Sequence, residues 1–373
     1  MSTTNNDFLS KINDLDDAFK SYAVYTFILI ILIIFIWYLI YLTKLEKKEG
    51  NYMNGLYPSV DGNIRPITGS DPVCGHKFYD YYIKTAYNCC SGGSYKNDFV
   101  TIEALKSVLK QGVRGLDFEV YSINDQPVVA TSTSDSYFVK ETFNSIPFNT
   151  VIETIRNYAF SSGTSPNPTD PVIVHIRFKS ANQNMYQNLA KIFKANNDLM
   201  LGMNYSYEAE GKNLGIVPLL ELKNKIVLIV DRSDTAFLDC QDFLEYVNMT
   251  SSSIFMREYT YYNVKNSPDI NELIEYNKQG MTFVTPDKGV NPANPSGIVC
   301  RANGCQLVAM RYQLADNMLA ENNVFFDGCG YAFCLKPEEL RYKPVTVSAP
   351  TKQMPQYSYA TRTMATDYYK FDF

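Results

Sequence analysis

The chain has 373 residues, 46% of them apolar, enough to bury a large core and too many for general disorder. Net charge is −5 with acids and bases interleaved, which argues against a nucleic-acid partner and a polybasic lipid-binding run. Only two histidines are present, His76 and His175, so chemistry that needs imidazole has few positions to work from.

The first predicted element is "YAVYTFILIILIIFIWYLIYLT", residues 22–43, uncharged and flanked by Lys20 and Lys44. About 20 apolar residues suffice to cross a bilayer as a helix, so this segment predicts one transmembrane helix after a short arm, residues 1–21. A cleaved signal peptide fits poorly, because "TKLEKKEG" follows with no small-residue cleavage pattern. Lys44, Lys47 and Lys48 after the span, against Lys11 and Lys20 before it, lean toward a cytoplasmic C-terminal part. Two glycosylation sequons, at Asn204 and Asn248, and eight cysteines lean the other way, and the topology stays open.

Residues 44–75, with Gly, Pro and Asn and no periodicity, read as a connector. "YYIKTAYNCCSGG" (81–93) then has the rhythm of an active-site loop: an aromatic strand, small polar residues and glycines. Helices are predicted over 100–112, 149–160 (capped by Asn149 or Thr150), 182–196 and 270–280. Strands are predicted over 113–121, 171–179, 224–231, 281–286 and 305–313. Alternating strands and helices point to a parallel sheet, and so many units over about 260 residues to a (β/α)8 barrel. No Gly-x-Gly-x-x-Gly follows the first strand, so dinucleotide binding has no support. The tail, 344–373, reads as extended and surface-lying. Cys300/Cys305 and Cys329/Cys334 have four residues between partners, which leaves zinc ligation, disulfides and buried thiols as alternatives.

Several segments in order resemble the catalytic barrel of phosphoinositide-specific phospholipase C, covering residues 76–343. "YYIKTAYNCCSGG" is similar to the family's loop ending Ser-His-Asn-Thr-Tyr. "ALKSVLKQGVRGLDFEVY" is similar to its Gly-x-Arg-x-x-Glu-Leu-Asp strand. "DPVIVHIRFKS" and "PLLELKNKIVLIVD" resemble the next two strands. "NGCQLVAMRYQLADNMLAENNVFFDGCGYAFCLKPEELR" (303–341) is the most specific match, to Gly-Cys-Gln-x-Val-Ala down to Gly-Tyr-Val-Leu-Lys-Pro. The resemblance implies a TIM barrel with two catalytic histidines, a calcium ion on oxygen ligands and a basic phosphate grip.

Carried over by position, the first histidine falls on Tyr87 and the second on Thr131 or near it. Of the calcium ligands, Asn88 is kept, the two carboxylates become Asp117 and Glu119, and the last falls on Arg177. The substrate grip falls on Ile229, Asp231, Phe283 and Thr285. Tyrosine titrates near 10, far from what general acid–base work at neutral pH requires. Asp117 and Glu119 share a face by strand alternation, as do His175 and Arg177, so an ion pair among them is the structural alternative to a metal site. His175 reads as a core histidine or a displaced base, and His76 as a surface residue. The expectation is a membrane-anchored barrel without catalysis and without cofactor, meeting a protein partner at its mouth or tail. The Asn-, Ile-, Lys- and Tyr-rich composition suggests a virion membrane component of a large DNA virus. The alternative is an active phosphoric diester hydrolase, with calcium, on a rearranged site.

Overall fold

The computed structural model describes residues 3–134, 136, 138–206, 213–344, 348–352, 354 and 357–373, and forms two units, Met1–Arg341 and Tyr342–Phe373. The first unit is built on eight parallel strands. They are β1 (Tyr81–Ala86), β2 (Gly115–Ile123), β5 (Val172–Phe178), β6 (Ile226–Asp231), β7 (Met249–Ser251), β8 (Met256–Thr260), β9 (Met281–Thr285) and β10 (Leu307–Met310). Their spatial order is β7-β6-β5-β2-β1-β10-β9-β8, so the barrel is nearly closed, with a seam between β7 and β8. A side chain spans that seam: Ser251 Oγ donates to Glu258 Oε2 at 2.9 Å. Strands β3 (Gln126–Ala130) and β4 (Ile146–Pro147) extend β2 as a hairpin, turned by Asn124 and Asp125 at φ +51° and +62°. Strand β11 (Phe333–Leu335) pairs antiparallel with β1.

Two apolar clusters follow from strand alternation. Outward residues such as Leu116, Phe118, Val174, Ile176, Leu228 and Val230 pack under the surrounding helices. Inward residues such as Ile83, Ile173, Val227, Met281 and Leu307 fill the barrel. The helices are α2 (Ile102–Lys110), α3 (Phe148–Ala159), α4 (Gln183–Ala195), α5 (Gln241–Leu244), α6 (Tyr261–Lys265), α7 (Ile270–Asn277), α8 (Gly297–Ala302) and α9 (Asn317–Cys329). Thr101 caps α2 by accepting from Glu103 N and Ala104 N. Helix α3 differs from its predicted start: Pro147 stands at the cap, its φ of −54° pre-set for the turn, and neither Asn149 nor Thr150 caps it.

The largest departure from the sequence reading is α1, one continuous helix from Thr3 to Leu56. It includes the apolar 22–43 segment, long enough to cross a membrane, most of the expected arm and the first part of the expected connector. Its last turns are held by the barrel: Met53 is fully buried and Tyr57 Oη donates to Tyr312 O at 2.7 Å. These tertiary contacts override the weak helix propensity of Gly50 and Gly55.

Cys329 and Cys334 form a disulfide, while Cys300 and Cys305 are buried free thiols. Among the described residues no group of three His, Cys, Asp or Glu side chains is placed to hold a metal. Of the two sequons Asn204 is exposed. Asn248 is buried, its amide bonding Leu228 N and Tyr205 O, which leaves no access for a glycan. The second unit ends in a hairpin of two exposed strands, β12 (Thr363–Ala365) and β13 (Lys370–Asp372). Tail residues 345–347, 353, 355 and 356 lie outside the described residues.

Candidate functional site at the barrel mouth

The carboxyl ends of β1, β2 and β5 bring Asn88, Asp117, Glu119, His175 and Arg177 together, all of them buried. Register explains the meeting: Asp117 lies opposite His175 and Glu119 opposite Arg177 across the β2–β5 ladder. The Arg177 guanidinium is the hub. Nη2 and Nε grip Asp117 at 2.8 and 3.0 Å, and Nη1 meets Glu119 Oε1 at 2.9 Å. Nη2 also donates to Asn88 Oδ1 at 3.1 Å. The Tyr87 ring covers the guanidinium, 4.6 Å from ring centroid to Cζ, in cation–π geometry. Asn88, at φ +45°, turns its own N–H onto Asp117 Oδ2. Glu119 Oε2 accepts from Tyr121 Oη, Ser132 N and Ser132 Oγ.

Burial alone would raise Asp117; the Arg177 charge and the bonds from His175 and Arg177 outweigh it and hold the carboxyl below the usual range. Burial pulls Arg177 down, but Asp117, Tyr87 and Glu119 push it well above its ordinary value.

His175 begins a second chain. Nδ1 bonds Asp117 Oδ1 at 2.8 Å and Nε2 bonds Ser251 Oγ at 2.9 Å, with Ser251 passing on to Glu258. Phe283 stacks on the imidazole, centroids 4.1 Å apart. With its one proton given to Glu258, the serine hydroxyl accepts from a doubly protonated His175; with the proton shifted, both ends are neutral. Burial lowers His175, and the Asp117 bond and the Glu258 charge more than reverse this. Burial and Asp231 push Glu258 up to about 7.

The other expected positions are scattered around this core. Thr131 is buried and donates to Tyr95 O, away from any proton-transfer partner. Ile229 and Phe283 are interior packing. Asp231 and Thr285 line a recess of about 230 Å3 together with Asp234, Glu258, Lys179 and Phe138. His76, expected at the surface, is half-buried beside Arg341, ahead of β1. Sequence reading missed Ser251 and Glu258, which sit on β7 and β8, two barrel strands that it did not predict.

The family's calcium does not fit these residues. Asn88 Oδ1, both Asp117 oxygens and Glu119 Oε1 are engaged by Arg177, whose charge no accessible pH removes, and Glu119 Oε2 is engaged by Tyr121 and Ser132.

An almost closed parallel barrel with its polar cluster at the carboxyl ends of the strands falls in the class of TIM barrels. Family models match it in succession: the phosphatidylinositol-specific phospholipase C X domain over residues 75–232 and the Y domain over 235–339. The chain therefore belongs to the phosphatidylinositol-specific phospholipase C family. Among solved structures it is similar to S. officinalis PLC21 (TM-score 0.58) and L. pealei PLC21 (TM-score 0.57). Identity is 20% in both cases, over 72% of this chain and 38% of each of those chains. No curated protein matches the chain.

Proposed function

We propose that the protein is a membrane-anchored, non-catalytic member of its family, a scaffold or binding protein that meets a protein partner at the barrel mouth or the tyrosine-rich tail. The observation that carries this reading is the Arg177 guanidinium, which sits among Asp117, Glu119 and Asn88 and bonds all three. No imidazole replaces the absent proton carriers: Tyr87 packs on Arg177, Thr131 faces Tyr95, and His175 is fully buried with both nitrogens bonded. The recess beside the cluster bears three carboxyls, Asp231, Asp234 and Glu258, against one cation, Lys179, so its acidic excess favours a basic partner group over a phosphate. The 22–43 segment supplies the anchor, and the composition supports a virion-membrane location.

General acid–base groups are typically worth about 10²–10⁴-fold each. The purified chain is therefore expected to release no inositol phosphate from phosphatidylinositol or its phosphates, with or without calcium. Calcium-dependent release that is lost on Asp117→Asn would establish the active-hydrolase reading instead.

A further inference from the structure

The glycines of "YNCCSGG" do not cradle a phosphate; they seat helix α1. A β-carbon on Gly92 would lie 3.0 Å from Glu49 Cβ. One on Gly93 would lie 2.9 Å from Glu49 Oε2 and 2.3 Å from Asp98 Oδ2, so the two carboxyls face each other across the same glycine. Asp98 is fixed in place by Ser94 N and Phe99 N, each at 2.9 Å. Of the charged groups nearby, Lys48 of α1 acts on Glu49, and Glu103 of α2 lies against the neighbouring Gly50, itself bonded by Lys106 and Asn54. The same loop carries Asn88, which bonds Arg177, and Tyr95, which bonds Arg311. The helix seat and the barrel mouth are therefore two ends of one short segment.

We propose that the Glu49–Asp98 carboxyl pair is a pH-sensitive latch, holding α1 on the loop after β1 more tightly as pH falls below neutral. The proposal does not depend on whether the barrel is catalytic. Two facing carboxylates repel, whereas a carboxyl and a carboxylate can share a proton. Burial first, then the Asp98 charge, push Glu49 up to about 7, with Lys48 opposing. A raised carboxyl binds its proton more tightly when docked. Docking is therefore unpenalised at low pH, weakens as pH rises from Glu49's ordinary value toward 7, and stays weak above it.

The test is hydrogen exchange on the full-length chain in detergent micelles at pH 5.5 and 8.0, with rates corrected for the intrinsic pH dependence of exchange. Protection of amides 46–57 is expected to fall about tenfold at pH 8.0, the partial exposure of Glu49 keeping the effect modest. Glu49→Gln should hold protection level at both pH values, and Asp98→Asn should shrink the drop. Equal protection in the unmodified chain, or a drop that survives in Glu49→Gln, would overturn the latch.

Discussion

The two sides of the barrel mouth treat charge in opposite ways. On β1, β2 and β5, Asp117 and Glu119 are both paired with Arg177, closed off from water and covered by Tyr87. On β6 and β8, Asp231 and Glu258 line a recess with Asp234 and Lys179, held there by hydrogen bonds from serines. A charge that is fully bonded inside holds the fold together; a charge lining an opening stays within reach of solvent and solutes. The first side is bonded internally through Arg177, and the second lines a recess.

The sharpest way to break this contrast is to remove the hub. Arg177→Met leaves two buried carboxylates uncompensated, and uncoupling a buried pair costs about 3–5 kcal/mol. Chemical denaturation should show a loss of that size; a loss below about 1 kcal/mol would mean that the cluster is not the keystone described. Arg177→Glu should be similarly unstable without calcium and should regain stability in millimolar calcium by mass action.

A smaller effect is expected on the open side. Glu258 has its folded value raised to about 7, so its ionisation penalises the fold increasingly between its ordinary value and 7. His175 is also raised, so its contribution is present below its ordinary value and is lost as pH climbs through the folded one. Both signs agree: stability should fall from pH 5 to pH 8. Glu258→Gln should flatten that fall and be more stable than the parent at pH 8 by about 1–2 kcal/mol, with little difference at pH 5. Thermal unfolding across that range distinguishes this from a pH-independent gain.

The smallest change is at the cap. Tyr87→Phe keeps the ring over Arg177, so stability should move by no more than about 0.5 kcal/mol. A large loss in a denaturant midpoint would assign the hydroxyl a role that the packing does not require.

Much of the barrel was legible because buried strands announce themselves: "VIVHIRF" is unbroken apolar sequence interrupted only by His175 and Arg177, two residues apart on one face. The same spacing placed Asp117 with Glu119 and so predicted the ion pair that the structure shows. Strands β7 and β8 were illegible, because "MTS" and "MREYT" are too short and polar to show a period, and with them went Ser251 and Glu258. The extent of α1 was hidden for another reason. "TKLEKKEGNYMNGL" is polar and contains two glycines, and only the docking of Met53 and Tyr57 on the barrel makes it helical to Leu56.

The central claim, that Arg177 has taken the place of a metal, is tested most directly by calcium itself. Thermal unfolding of the full-length chain in detergent should give the same midpoint with and without millimolar calcium, because both Asp117 oxygens, Glu119 Oε1 and Asn88 Oδ1 are held by the guanidinium and Glu119 Oε2 by Tyr121 and Ser132. A calcium-induced rise in the unmutated chain, abolished by Asp117→Asn, would contradict the account.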